Sequence, residues 1–399
     1  MQNKDSWLLP DGIEEVLPDQ ALLLEELRRK LLDTFAAWGY QLVIPPFVDF
    51  LDSLLIGSGH DLDLQTFKLT DQISGKMLGV RADMTPQVAR IDAHHLNHDR
   101  PARLCYAGTT LHTLGDPLEK TRSPMQIGAE LYGHSGLESD YEIICLMLET
   151  LAISGLQELH LDLGHVGIYR ALSKQAGFSP AEETELFALL QRKARAELHE
   201  FLNTLPLNPA LKDLFSALPQ LNGHREILQK ADTLLNKLTD VDPSIAQALA
   251  DLHHIADKLS RDFPQLPVSF DLAELRGYHY HTGMVFAAFI PGLGREIARG
   301  GRYDNIGRFF GRARAATGFS ADLKALVNLY KTGRTPAGAE QILAPYADDR
   351  DLAVLIRDLR AAGKTVIQFL PNQSGSPADL GCTSVLEKQA QSWIVKPLA

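Results

Sequence analysis

Cysteine is scarce in this 399-residue chain: Cys105, Cys145 and Cys382 stand far apart, and no Cys-x-x-Cys pair occurs. An odd, sparse set in apolar surroundings argues against a disulfide framework or a zinc site, and for buried thiols in a reducing compartment. Positive charge is also short. Lys and Arg total 39 against 50 Asp and Glu, for a formal net charge of −11. The densest basic stretch is Arg299, Arg302, Arg308, Arg312 and Arg314, which is little for a protein that grips a phosphate backbone. No apolar run approaches membrane-spanning length, and residues 1–7 lack a basic segment leading into an apolar one, so a soluble cytoplasmic protein is expected. There is no P-loop and no Gly-x-Ser-x-Gly. Gly292-Leu-Gly294 fails as a dinucleotide fingerprint because Ile297 occupies the third glycine position. The remaining composition, 45% hydrophobic and 22% charged, is that of a globular protein long enough for two or three domains.

The most informative run is Leu275-Arg-Gly-Tyr-His-Tyr-His-Thr-Gly283, followed by Ala298-Arg-Gly-Gly-Arg-Tyr-Asp304. Apolar, β-rich segments flank both, at 268–272 and 284–289. Strand, polar turn, strand and Gly-Gly turn in that order predict the floor of a pocket, with glycines letting backbone approach a ligand. Ordinary surface hairpins would read the same way. A second polar constellation lies upstream. Arg81-Ala-Asp-Met-Thr85 precedes a helix opening at Pro86. The alternating stretch 125–133 puts Gln126, Gly128, Glu130 and Tyr132 on one face of a strand, which faces either a ligand or solvent. His94 and His98 have metal-pair spacing, but no third ligand accompanies them.

Taken in order, Asp19 is placed to cap a helix running to about Trp38, with Leu24, Leu27, Leu31 and Phe35 on its apolar face. A strand follows at 40–44 and ends at Pro45-Pro46. Residues 67–81 read as a hairpin turning near 71–76. Short strands are predicted at 103–108 and 159–163, and Ser139-Asp-Tyr-Glu142 is a capping-box pattern for a helix to about Ser154. From 180 to 262 leucine-rich helical segments dominate, at 181–202, 224–238 and 244–262. Residues 317–330 turn a strand into a helix. The tail reads as strands at 342–345, 365–370 and 392–396 with a helix at 349–362. The expected organisation is a core in two parts, 1–179 and 263–331, a helical insertion at 180–262, a linker at 332–339 and a small α/β unit at 340–399.

These markers, in this order, resemble the catalytic core of a class II aminoacyl-tRNA synthetase, specifically histidyl-tRNA synthetase, over roughly residues 8–330. The long helix and the strand ending at Pro45-Pro46 look like motif 1. Tyr106-Ala-Gly-Thr-Thr-Leu-His112 with the strand 126–130 looks like motif 2, and Gly318 to Leu326 like motif 3. The runs at 276–280 and 298–304 resemble the two histidine-specific signatures. The resemblance implies an α+β fold, an antiparallel sheet flanked by helices, and dimerisation through the motif 1 region. It implies a histidine site of Asp83, Thr85, Gln126, Glu130, Arg276 and Tyr280, with Gln126 and Glu130 at the amino group. The logic is chemical as well: a free amino acid needs carboxylates for its ammonium, a cation for its carboxylate and a partner for its imidazole. One departure is His281, which stands where the family has a second pocket tyrosine.

The nucleotide-handling positions depart further. His112 stands where motif 2 carries an arginine for the α-phosphate, and Leu114 where it carries a glutamate. Ala325 replaces the motif 3 arginine, and Lys324 a glutamate beside it. Alanine supplies neither the stacking nor the charge of a guanidinium, and each lost donor of this kind costs about 2.7–4 kcal/mol of transition-state stabilisation in a well-studied case. The tail is also too short for the synthetase's full anticodon-binding domain. A kept amino-acid pocket with a dismantled ATP site resembles the family of regulatory subunits of ATP phosphoribosyltransferase, the first enzyme of histidine biosynthesis. That resemblance implies a chain with no catalytic residues, cofactor or metal. It also implies a short-form catalytic subunit as partner in a hetero-octamer and L-histidine as effector, with no membrane or nucleic-acid role. The alternatives are a divergent active histidyl-tRNA synthetase and a tRNA-binding sensor without catalysis.

Overall fold

The computed structural model describes residues 8–55, 60–115, 121–237, 242–275, 277–278, 280–329 and 341–398. The chain divides into two compact units, Met1–Tyr330 and Lys331–Ala399. The expected linker at 332–339 lies outside the described residues.

Helix α1 (Pro18–Ala37) buries Leu24, Leu27, Leu31 and Phe35, the apolar stripe predicted for it. Each such side chain contributes about 2 kcal/mol by leaving water. Asp19 does not cap it. Pro18 takes the first helical position with Leu17 before it, so Asp19 falls in the first turn, where a carboxylate still meets the positive end of the helix dipole. Strands β1 (Gln41–Leu42) and β2 (Val48–Phe50) follow, then the short helices α2 (Leu51–Leu54) and α3 (His60–Gln65) and the hairpin β3 (Phe67–Thr70) and β4 (Met77–Val80). Helix α4 (Thr85–Arg90) continues as a π-helical turn, Ile91–Leu96. Strands β5 (Ala102–Thr109) and β6 (Met125–Tyr132) lead to α5 (Leu137–Ile153), β7 (His160–His165) and α6 (Val166–Ala176).

The leucine-rich stretch forms α7 (Pro180–Gln191), α8 (Arg195–Thr204), α9 (Pro209–Ala217), a two-residue strand β8 (Asn222–Gly223), α10 (Glu226–Leu235) and α11 (Pro243–Asp262). The single helix expected at 181–202 is broken between α7 and α8, where Lys193 adopts φ +50° and its ammonium reaches Asp271 at 2.8 Å. Strands β9 (Val268–Asp271), β10 (Met284–Phe289), β11 (Glu296–Arg302) and β12 (Ala316–Asp322) and helix α12 (Leu323–Leu329) complete the unit.

Nine strands make one sheet in the order β1-β5-β6-β12-β11-β10-β7-β9-β8. The β1–β5 and β7–β9 pairs are parallel and the rest antiparallel. A separate three-stranded sheet runs β2-β4-β3. The period-two alternation of β6 divides the large sheet's faces. Ile127, Ala129 and Leu131 join the main core with residues of α1, α5 and α12, whereas Tyr132 joins a smaller cluster with Tyr106 and Tyr303. Gly300 and Gly301 correct the expected Gly-Gly turn. They lie inside β11, between β10 and β12, where side chains there would strike neighbouring strands and rings. Ser139 corrects another expectation, because α5 opens two residues earlier and Glu142 instead receives Arg103 at 2.7 and 2.8 Å.

In the second unit, β13 (Gln341–Ala344), α13 (Arg350–Ala361), β14 (Thr365–Gln368), β15 (Ser384–Gln389) and β16 (Ser392–Pro397) build a sheet ordered β14-β13-β15-β16. Its core is Ile342, Ala344, Leu352, Ile356, Val366 and Leu386. Strand β15 has no counterpart in the sequence reading. Its run of polar residues hides the strand, which is completed by pairing with β16 along six residues.

Candidate functional site

Asp83 and Thr85 sit where β4 gives way to α4. Asp83 accepts from the Thr85 backbone N–H and from the Gln126 side-chain amide, at 3.0 and 2.8 Å. The other end of that amide accepts the Met84 N–H at 2.9 Å. Gln126 therefore orients Asp83 with both of its polar groups engaged. The Thr85 hydroxyl lies 3.0 Å from Asp83 and 3.2 Å from Glu130, so its one proton bridges the two carboxylates.

Glu130 rises from β6 and is 2% exposed. The Tyr106 hydroxyl donates to one carboxylate oxygen at 2.9 Å, and the Tyr303 hydroxyl donates to the other. Two glycines make this net possible. A side chain at Gly128 would come within 2.6 Å of the Tyr106 hydroxyl, and one at Gly318 would fall on the Glu130 carboxylate. Burial pushes Glu130 up to about 8, against the pull of its hydroxyl donors. Burial also raises Tyr106, Tyr280 and Tyr303 well above the ordinary phenol range, with Glu130 adding to the effect, so these hydroxyls remain donors.

Tyr280 stacks on Tyr303 with centroids 4.9 Å apart. The His281 ring meets it edge-on at 5.2 Å. That ring is wedged between two glycines: added Cβ atoms at Gly277 and Gly301 would lie 2.7 and 2.8 Å from it. Gly277 also has φ +67°, a backbone that favours glycine. Burial lowers His281 to about 4, which keeps it neutral. The Tyr280 hydroxyl and His281 Nδ1 are buried without a hydrogen-bond partner among the described residues. Tyr280 and His281 line one cavity of about 600 Å³ with Asp83, Thr85, Glu130 and Tyr303. That volume suits a small-molecule ligand.

Of the six residues read from sequence, four line this cavity: Asp83, Thr85, Glu130 and Tyr280. Gln126 stands behind Asp83, and Arg276 lies outside the described residues. Tyr106 and Tyr303 were visible within motifs but had no assigned role. Their signal was positional, since Tyr106 pairs with Gly128 across β5 and β6, where the missing side chain leaves room for a phenol.

The positions that the resemblance assigns to nucleotide handling are engaged elsewhere or bare. His112 turns its ring to the Ala82 carbonyl at 2.9 Å. Leu114 is 72% exposed and Ala325 is buried. Lys324 donates to the Ser123 carbonyl at 2.6 Å. Arg81 is buried and holds the Pro45 and Thr109 carbonyls. The basic stretch disperses too: Arg302 pairs with Asp140, Arg314 with Asp92 and Arg312 with Asp99. His94 is exposed, and among the described residues no three His, Cys, Asp or Glu side chains gather as a metal site. No helix among them is long and apolar enough to cross a membrane.

Comparison with known proteins adds two family models. "Histidyl-tRNA synthetase" matches residues 12–326, and "ATP phosphoribosyltransferase subunit HisZ C-terminal domain" matches residues 339–396. An ATP phosphoribosyltransferase regulatory subunit of Methylococcus capsulatus is 56% identical over 99% of this chain and 97% of its own. One of Thioalkalivibrio sulfidiphilus is 52% identical over the full length of both. Among solved structures, an ATP phosphoribosyltransferase regulatory subunit/histidyl-tRNA synthetase from Bacillus halodurans aligns with TM-score 0.81 at 28% identity, covering 94% of this chain and 96% of that one. The histidyl-tRNA synthetase of Nostoc shares the fold with TM-score 0.75 at 19% identity, covering 96% and 91%.

Proposed function

The chain belongs to the family of ATP phosphoribosyltransferase regulatory subunits, and we propose that it regulates the first step of histidine biosynthesis as a non-catalytic partner of the short-form catalytic subunit. It activates that subunit within a hetero-octamer and carries feedback inhibition by L-histidine. It works in the cytoplasm.

The observation that carries this reading is the asymmetry of the site. The Asp83–Thr85–Glu130 net and its tyrosines form a connected hydrogen-bonded seat. The positions that would handle ATP are His112, turned to a backbone carbonyl, and a buried Ala325. Phosphoryl and adenylyl chemistry rests on fixed cations, so such a site binds an amino acid without activating it.

Histidine is seated by Asp83, Thr85, Gln126, Glu130, Arg276 and Tyr280. The geometry favours a refined division of labour. Gln126 has both polar ends engaged, so Asp83, which it orients, receives the ammonium. Glu130, walled by Tyr106 and Tyr303 and close to Tyr280, suits the flat imidazole. Arg276 supplies the cation for the ligand carboxylate.

Self-association as a dimer is supported by an apolar face near the motif 1 region. Ile44 is 83% exposed, and Val48, Phe50 and Leu69 on one side of the β2-β4-β3 sheet are 37–45% exposed.

Two measurements test the reading together. Mixing the chain with a short-form catalytic subunit should give a complex with raised phosphoribosyltransferase activity that histidine suppresses. Histidine-dependent exchange of pyrophosphate into ATP should be absent, and robust exchange would instead establish an active synthetase.

A further inference from the structure

The loop that carries Tyr280 and His281 is tied to the inserted helices through Tyr278. Tyr278 is 9% exposed, and its hydroxyl donates to the Glu183 carboxylate of α7 at 2.7 Å. The Tyr278 ring packs edge-on against Tyr169 of α6 at 5.1 Å and lies tilted against Phe187 of α7 at 5.5 Å. Tyr169 also donates to the Glu183 carbonyl, at 3.3 Å. Glu183 is thus held at its carboxylate by the ligand loop and at its carbonyl by the core helix.

Arg170 of α6 grips the same loop. Its guanidinium donates to the carbonyls of Tyr278 and His281, both at 2.9 Å, and lies 5.0 Å over the Tyr278 ring. Within the loop, the N–H groups of Tyr280 and His281 both return to the Gly277 carbonyl at 2.8 Å. Tyr278, Tyr280 and His281 are therefore held together by the Gly277 carbonyl and the Arg170 guanidinium. Phe187 and Gln191 of α7 line the same cavity as Tyr278, Tyr280 and His281. The clamped loop and α7 are thus two of the cavity's walls, and the Tyr278–Glu183 hydrogen bond joins them.

We infer that Tyr278 is a positioning residue that couples occupancy of the cavity to the inserted helices, so that α7 reports whether ligand is bound. This inference rests on the histidine-site reading above and extends it to a responding element. A ligand touching both walls favours the arrangement in which they are joined, and that preference is a coupling free energy between site and insertion. Removing only the hydroxyl leaves the aromatic packing in place and cuts the join.

The experiment uses the full chain with L-histidine as the probe. It pairs calorimetry with hydrogen–deuterium exchange of peptides covering 180–191 in the unaltered protein and in Tyr278→Phe, Glu183→Ala and Glu183→Gln. In the unaltered protein histidine should slow α7 exchange about fivefold or more, the lower end of couplings between sites. That slowing should vanish in Tyr278→Phe and Glu183→Ala and return in Glu183→Gln, whose amide oxygen still accepts the hydroxyl proton. A merely structural role would raise α7 exchange equally with and without histidine. Histidine heat without slowing of α7, or slowing that survives Tyr278→Phe, overturns the coupling alone. No histidine heat in the unaltered protein overturns the site reading and the coupling with it.

Discussion

Arg302 and Asp140 form a buried ion pair, 2.9 Å apart, with side chains 9% and 1% exposed. The guanidinium also donates to the Ser139 hydroxyl and to the carbonyls of His134 and Gly136. Burial pushes the Asp140 carboxyl up, and Arg302 pulls it back down. Neighbours in one signature thus do different work: Arg302 anchors α5, while Tyr303 faces Glu130. Arg302→Met leaves a buried carboxylate unpaired and should destabilise the protein by about 3–5 kcal/mol, read as a lower denaturant midpoint. An unchanged midpoint would contradict the anchoring role.

Glu130 should set a pH dependence of both stability and binding. Its ordinary value of 4.5 is raised to about 8 in the fold, so the folded state holds the proton more tightly than the unfolded chain. That contribution is full below about pH 4.5 and is lost as pH rises towards 8, at about 1.4 kcal/mol per unit. Glu130→Gln should therefore melt above the unaltered protein at pH 8, with the gap closing towards pH 5. A gap independent of pH would refute the shift.

Binding through the same carboxyl should move a proton. The imidazole that meets Glu130 is mostly neutral at pH 7, its ordinary value being about 6.5, so the carboxyl's proton passes to the ring and the two bind as imidazolium and carboxylate with little net exchange with solvent. Calorimetry at pH 7 in buffers of different ionisation enthalpy should therefore give heats that hardly vary with the buffer. Glu130→Ala should weaken binding by about 2–5 kcal/mol. Full affinity in that variant would put histidine elsewhere.

Gly318 offers a test of the seat that adds no charge. Its Cβ would fall on the Glu130 carboxylate, which Tyr106 and Tyr303 keep from moving aside. Gly318→Ala should displace that carboxylate and cost about 1–3 kcal/mol in stability, with histidine binding reduced at least as much as in Glu130→Ala. Normal affinity in a folded Gly318→Ala protein would mean that Glu130 does not touch the ligand.

The apolar face of the β2-β4-β3 sheet predicts an oligomeric state. Phe50 and Leu69 both pair with Leu78 across the sheet and so share one side of it. Ile44→Asp with Phe50→Asp puts two charges there and should halve the mass measured by light scattering, with little loss of stability because both residues are exposed. An unchanged mass would place the dimer contact on another surface.

Much of the architecture was legible in advance because it is written at short range. The four-residue recurrence of Leu27, Leu31 and Phe35 is a helix face whatever packs against it. The alternation along 125–132 separates two faces before any partner strand is known. The misread details were those where local chemistry allows two answers. Asp19 and Ser139 are good caps by type, but Pro18 and Leu137 already open the helices. Gly300-Gly301 suits a turn by composition, and only neighbouring strands on both sides make it a strand.

The sequence by itself determined which chemical groups are present: Asp83, Glu130 and the tyrosines, with His112 and Ala325 where the resemblance expects phosphate-handling arginines. Tertiary structure alone decided what each one does. Gln126 orients Asp83 across 43 residues of chain, and Arg302 and Arg314 join partners 162 and 222 residues away. The physical reason is that residue type and spacing fix a side chain's capacity to donate, accept or carry charge, whereas its partner is chosen by sheet register and by the burial that makes an unpaired polar group costly.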